Sequence, residues 1–212
     1  VHPNFPATPY VYVSYVYDPP ETANFSGNAG RDRAGNRISR VSRFTADPAT
    51  GFNTAIPGSE VVLIGGAGNW NTISHPELDS TNDITIPATG GPDGSARDVL
   101  IVDSLTHAVG NIIFGPDGML YVANGDGASF GRVDPRAVRV QNIDSLSGKI
   151  LRVDPLTGQG LATNPFFNGD VDANRSKVVD YGLRNPFRFA FQPGTGELFV
   201  GDVGWNTHEE IN

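Results

Sequence analysis

The sequence contains no cysteine, and its apolar residues never form a long run. Without thiols the chain can form neither a disulfide framework nor a thiolate metal site, and it has no cysteine nucleophile. No apolar run approaches the ~18 residues of a membrane-spanning helix, so we expect no membrane insertion. Basic residues are also few, since 15 Lys and Arg against 23 Asp and Glu give a net charge of −8. This balance argues against nucleic acid as a partner.

Helical periodicity is absent as well, and short strands take its place. No stretch of twelve or more residues repeats apolar side chains at helical spacing. The 26 glycines and 16 prolines, about a fifth of the chain, separate short runs of β-branched and aromatic residues. This pattern predicts an all-β protein. The predicted strands are 10–17, 37–46, 60–65, 111–115, 119–124, 149–154, 177–182, 187–191 and 197–202.

An internal repeat organises these strands. The segment "FGPDGMLYV" from Phe114 recurs as "FQPGTGELFV" from Phe191, and "YVYVSY" from Tyr10 is a weaker copy of its second strand. A strand, a tight turn and an aromatic strand, repeated at this spacing, predict a β-propeller of four-stranded antiparallel blades. Because 212 residues hold fewer than three such blades, we expect a partial propeller.

The repeat also divides the chain, which we interpret as a single partial propeller domain over 1–212. Residues 1–105 form the end of one blade plus a long polar excursion at 66–98. Residues 106–183 form one full blade, and 184–212 start the next. Long excursions within a compact domain tend to be functional or to cover something.

His107 stands at the mouth of the predicted hairpin and is the first candidate for chemistry. Imidazole titrates near neutral pH and can serve as a general base. A lone histidine is more often a turn or core residue, so the surrounding motif has to decide between the two.

Several motifs around His107 occur in one order: "HAVGNIIFGPDGMLYVANGDG", "QNIDSLSGKILRVDP" and "YGLRNPFRFAFQPGTGELFVGDVGWNTHEEIN", after the opening "HPNFP". Together they resemble the glucose/sorbosone dehydrogenase family of soluble quinoprotein sugar dehydrogenases. The resemblance implies a six-bladed β-propeller, of which this chain is about half. It also implies a secreted or periplasmic aldose dehydrogenase that uses pyrroloquinoline quinone (PQQ), calcium and an external electron acceptor. We expect the isolated segment to be inactive.

The resemblance implies roles for individual residues. His107 would be the general base that takes the proton of the sugar's anomeric hydroxyl as hydride passes to PQQ. Arg184 and Asn185, in "GLRNPF", and Gln141 would contact the cofactor. The alternatives are an Arg184 ion pair with Asp180, an Asn-Pro turn, and a polar loop residue at Gln141.

The calcium ligands implied by the resemblance are the backbone carbonyls of Gly204 and Trp205. The family has Gly-Pro at these positions and commonly an Asp where this chain has Thr106. These departures bear on substrate choice and activity. The turn "NGDG" at 124–127 is explained by tight-turn geometry alone.

A second function remains open at this point: a non-catalytic extracellular β-propeller that binds a carbohydrate or protein ligand. Fold does not fix function, so the two functions differ in whether a cofactor binds.

Overall fold

A computed structural model describes residues 1–17, 37–67, 97–104, 106–131, 133–205 and 208–211. Within these ranges the strands are β1 (Tyr10–Tyr17), β2 (Arg37–Thr45), β3 (Val61–Ile64), β4 (Leu100–Val102), β5 (Val109–Phe114), β6 (Leu120–Asn124), β7 (Lys149–Val153), β8 (Val178–Tyr181), β9 (Arg188–Phe191), β10 (Leu198–Asp202) and β11 (Glu210–Ile211). The helices are short: α1 (Asn174–Lys177) and two 3-10 turns, Pro48–Thr50 and Pro135–Gln141. None of the helices in the described ranges is long and apolar enough to cross a membrane.

The strands form three antiparallel sheets in chain order. The first has the order β1-β2-β3, and β4 pairs with the other end of β2. The second has the order β5-β6-β7-β8, and the third joins β9, β10 and β11. Successive meander sheets of this kind are propeller blades. The predicted all-β, partial propeller is therefore confirmed.

The sequence repeat is also a structural repeat. Phe114 of β5 pairs with Leu120 of β6, and Phe191 of β9 pairs with Leu198 of β10. The two hairpins therefore have the same register, and each opens its own sheet.

The weaker third copy occupies the equivalent place in the first sheet. The His2 backbone N–H donates to the Tyr10 carbonyl at 2.9 Å. The Gly115 N–H makes the same kind of bond to Met119, also at 2.9 Å, where the β5–β6 turn meets β6. β1 therefore corresponds to β6, as the repeat predicts.

The sheets stack face to face because side chains alternate along each strand. On β6, Leu120 and Val122 pack toward the first sheet, whereas Tyr121 and Ala123 pack toward the third. Both faces of the second sheet are thus buried, and burying each Leu or Val contributes roughly 1.5–3 kcal/mol. The first interface buries Tyr12, Val41, Leu63, Ile64, Leu100, Leu120, Val122, Leu146, Leu151, Val153 and Val178.

The predicted excursion at 66–98 lies largely outside the described residues. Its two ends are held together, because the Asp98 carboxylate accepts the N–H groups of Gly65 and Gly66 at 3.1 and 2.9 Å. The chain then enters β4, which the sequence analysis did not predict.

Candidate active site

His107 is a buried residue that lies just before β5. Its side chain is only 4% exposed, and its Nδ1 lies 2.8 Å from Asp126 Oδ1. The same oxygen accepts the Ala128 N–H at 2.8 Å, which fixes the carboxylate. A carboxylate at Nδ1 assigns the proton of the neutral ring to that nitrogen and leaves Nε2 as the acceptor.

The loop that carries Asp126 is shaped to fit the His107 backbone. A Cβ on Gly125 would lie 2.3 Å from the His107 carbonyl oxygen, and the Gly127 N–H donates to that oxygen at 3.1 Å. His107 itself has a φ of 57°, which is uncommon for a residue with a side chain.

The interpretation of "NGDG" as a tight turn alone is therefore incomplete, because this turn supplies the partner of His107. Sequence reasoning missed Asp126, because the signal that links it to His107 is the way in which β5 pairs with β6. The register of β5 on β6 pairs Val109 with Asn124, so the residues before β5 lie opposite those after β6.

Arg184 and Asn185 lie on a turn that is clamped by Asp202. The Asp202 carboxylate accepts the N–H groups of Arg184 at 2.8 Å and Asn185 at 2.6 Å. The Arg184 carbonyl in turn accepts the Asp126 N–H at 2.8 Å. Burial raises the pKa of Asp202 although these two backbone bonds oppose the shift. The clamp therefore joins the predicted cofactor residues to the His107 partner.

The Arg184 guanidinium does not pair with Asp180, the alternative left open above. Its Nη1 donates to the carbonyls of Val203 and Gly204, at 2.9 Å each. Its Cζ lies 5.1 Å from the centre of the Trp205 ring, in a cation–π arrangement.

A pocket of about 340 Å³ lies beside these groups. Arg184 and Trp205 form one part of its wall, and the 3-10 turn Pro135–Gln141 forms another. Gln141 is exposed, and its amide lies close to Gly182 at the wall. His107 is outside the lining and meets the pocket through Asp126. The lining residues are Asp126, Ser129, Val133, Asp134, Ala137, Val140, Gly182, Arg184 and Trp205.

Buried ion pairs anchor the 3-10 turn that forms part of the pocket wall. Arg136 Nη2 lies 2.6 Å from Asp134, and Arg139 pairs with Asp103. Burial would raise the pKa of Asp134, but the bonds from Arg136 and from the Ser129 N–H outweigh it and lower that pKa. The Asp134 charge is therefore already paired.

The pocket chemistry fits an anionic aromatic ligand such as PQQ. Arg184 provides a cation, Trp205 an aromatic plane, and Val133 and Val140 apolar wall. The Thr106 hydroxyl, next to His107, is buried without a hydrogen-bond partner among the described residues. The described residues thus fit the group that the resemblance implies.

The fit to calcium rests on backbone carbonyls. No group of three or more His, Asp or Glu residues that could hold a metal occurs in the described part of the chain. The Val203 and Gly204 carbonyls converge on one cationic nitrogen, and such oxygens are ligands that calcium accepts. Gly204 belongs to this converging pair. Trp205, the other residue predicted to bind calcium, lies in the pocket wall.

The chain matches one protein family and several characterised proteins. The family described as Glucose / Sorbosone dehydrogenase matches residues 98–212. The HIPL1 protein of Arabidopsis thaliana is 36% identical over 121 residues, which cover 50% of this chain and 17% of that protein. The aldose sugar dehydrogenase YliI of Escherichia coli K12 is 31% identical over 108 residues, which cover 50% of this chain and 26% of that protein. Quinoprotein glucose dehydrogenase B of Acinetobacter calcoaceticus is 31% identical over 121 residues, or 51% and 24%.

Solved structures match the chain along its whole length. An oxidoreductase (glucose dehydrogenase) from Thermus thermophilus superposes with a TM-score of 0.56 at 28% identity, covering 100% of this chain and 46% of that one. A second glucose dehydrogenase superposes with a TM-score of 0.61 at 21% identity, covering 99% of this chain and 44% of that one. This second match supports the fold alone. The chain spans less than half the length of these relatives.

Proposed function

Since the chain belongs to the glucose/sorbosone dehydrogenase family, we propose that it supplies the catalytic end of a PQQ-dependent aldose dehydrogenase. The reaction would be oxidation of an aldose at its anomeric carbon, for which a bound quinone would accept the electron pair of the C–H bond as hydride. The hydroxyl proton passes to His107, and the sugar leaves as the lactone. The observation that carries the proposal is the His107–Asp126 pair beside a pocket walled by Arg184 and Trp205.

His107 is suited to act through Nε2. Its Nδ1–H donates to Asp126, so the lone pair on Nε2 is available for the hydroxyl proton. Asp126 holds the ring in this tautomer and stabilises the imidazolium that forms, as the carboxylate of a catalytic triad does. Asp126 is itself fixed by the Ala128 N–H, so the orientation of the base is built into the loop.

Arg184, Asn185 and Gln141 would hold the cofactor, and the Gly204 and Trp205 region would hold calcium. A bound quinone would supply the two-electron acceptor, and the protein would position and polarise the quinone and the sugar. Arg184 is the residue that would neutralise the carboxylates of PQQ, because a guanidinium offers charge and two parallel donors. The proposal includes an external electron acceptor and a secreted or periplasmic location.

The test compares His107→Gln with wild type in the intact protein, supplied with PQQ and calcium. A positioned general base contributes roughly 10²–10⁴ in rate, so aldose oxidation should fall by that factor. Quinone binding, followed by its absorbance, should be unchanged. His2→Gln is the matched control, because His2 lies at the β1 end and packs on Phe114. Oxidation by His107→Gln within threefold of wild type would show that the base lies elsewhere.

One observation favours a second candidate, a non-catalytic binding propeller. The His107 side chain is only 4% exposed and bonded to a carboxylate, a state that a structural core histidine also adopts. Titration of the wild type with PQQ and calcium separates the two candidates. A protein that binds no quinone, yet retains a carbohydrate or protein ligand, is a binding module.

A further inference from the structure

The Arg184 guanidinium is bound by the backbone carbonyls of Val203 and Gly204, which form a small cation-binding site, the seat. A single nitrogen, Nη1, lies 2.9 Å from both the Val203 and the Gly204 carbonyl oxygens. Two successive carbonyls that point at one cationic atom concentrate negative potential at that point. The same oxygens are the type of ligand that a hard divalent cation takes.

Negative side chains reinforce this seat. The Asp202 carboxylate, next to Val203 in the chain, bonds the backbone of Arg184 at 2.8 Å. The Glu209 carboxylate accepts the Gly204 N–H at 2.9 Å. Two carboxylates therefore hydrogen-bond the backbone that carries the seat, and their negative charges favour a cation of higher charge over a guanidinium.

The Arg184 guanidinium can leave the seat without a change in the backbone of Arg184. Its N–H is bound by Asp202, and its carbonyl is bound by the Asp126 N–H. The guanidinium, in contrast, is half-buried, packs on the exposed Trp205 ring and already lines the pocket. A cation that took the seat would release guanidinium donors beside the pocket without moving the backbone.

We propose that Arg184 and calcium compete for the Gly204 carbonyl, and that the displaced guanidinium serves the anionic ligand of the pocket. The inference rests on the calcium and quinone sites of the proposed function. It follows that calcium and an anionic ligand favour each other's binding, because coupling between two sites is reciprocal. Arg184 then occupies the Gly204 carbonyl while calcium is absent and contacts the anionic ligand once calcium is bound.

The experiment measures calcium affinity of the intact protein by titration calorimetry, with calcium alone and no quinone. Arg184→Gln removes the competing cation, so calcium should bind about 5- to 150-fold more tightly, the usual range for coupled sites. Arg184→Lys keeps a positive charge and should stay nearer to wild type. The matched control is Arg188→Gln, since Arg188 also donates to a backbone carbonyl and stacks on Phe187, outside the pocket.

A second measurement needs no Arg184 variant. Calcium added to wild type should change the fluorescence emission of Trp205, because the Arg184 guanidinium moves away from the Trp205 ring. Trp205→Phe should abolish that change. An unchanged Trp205 emission at calcium saturation would overturn the proposal even if Arg184→Gln failed to fold.

The outcomes separate this inference from the proposed function. Equal or weaker calcium binding by Arg184→Gln refutes the competition and leaves the calcium site standing. The absence of calcium binding in both proteins overturns the inference together with the calcium site. Quinone titration of wild type then decides independently whether the proposed dehydrogenase survives.

Discussion

Lys149 is a fully buried cation whose removal should change how stability depends on pH. It begins β7, and its Nζ donates to the carbonyls of Val140 and Ser147 at 2.7 Å each. Burial lowers the pKa of Lys149 to about 7, although the charge of Asp180 opposes the shift. The perturbation is Lys149→Met, which retains most of the buried side chain and removes the titrating group.

The magnitude follows from linkage. In the unfolded chain a lysine has a pKa of ~10.4, so between pH 7 and that value this residue binds more protons in the unfolded state than in the folded state. The cost of burying Lys149 is therefore fully present below pH 7 and is relieved as the pH rises. Each pKa unit is worth ~1.4 kcal/mol, which gives on the order of 5 kcal/mol over the whole range. Between pH 7 and 9 the free energy of unfolding should rise by roughly 2 kcal/mol.

The assay is urea unfolding of the intact protein at pH 7 and pH 9. Wild type should gain stability over this interval, and Lys149→Met should lose that gain. Lys177→Met is the matched control, because Lys177 is also buried but is paired with the Asp98 carboxylate at 3.1 Å. The same pH slope in wild type and Lys149→Met would refute the reasoning.

Two further predictions concern the backbone of the site. Gly125→Ala places a Cβ 2.3 Å from the His107 carbonyl and should cost roughly 1–3 kcal/mol in unfolding free energy, with loss of activity. Gly131→Ala should have little effect in the same urea assay, because an added Cβ there meets no atom within 4 Å apart from its chain neighbours. An equal loss of unfolding free energy in the two variants would contradict the clash at Gly125. Asp202→Asn should weaken quinone binding and lower the unfolding free energy by about 1–3 kcal/mol, because one of the two part-buried N–H groups loses its acceptor. A melting temperature and quinone affinity equal to wild type would show that the Arg184 turn does not need this carboxylate.

The strands could be predicted because their signals are local. Period-two alternation with Gly and Pro at both ends located β1 and β5 to within two residues. β4 and β11 were missed because they are three and two residues long, and their pairing is decided by partner strands far along the chain. Length, rather than composition, limited the prediction.

The site was predicted only as far as motif resemblance reaches. Resemblance singled out His107 and Arg184, and the structure brings both next to Asp126, a residue that no motif reading assigned. A glycine-flanked Asp is sufficiently explained as a turn until the β5–β6 register is known. Apart from the His107–Asp126 pair, the contacts that hold these residues involve backbone atoms, and such contacts leave little trace in side-chain patterns.

The same backbone character bears on the two departures from the family pattern, Thr106 and Trp205. From His107 the hydrogen-bond chain runs to Asp126, then through backbone atoms to Arg184, and from its guanidinium to the Gly204 carbonyl. Neither Thr106 nor Trp205 contributes a side-chain hydrogen bond to this chain, although Trp205 packs on the guanidinium and lines the pocket. Substitution at these positions therefore leaves the links between His107, Arg184 and the Gly204 carbonyl intact. Under the proposed function, their effect would fall on the shape and polarity of the space that a ligand enters, and so on the choice between sugars.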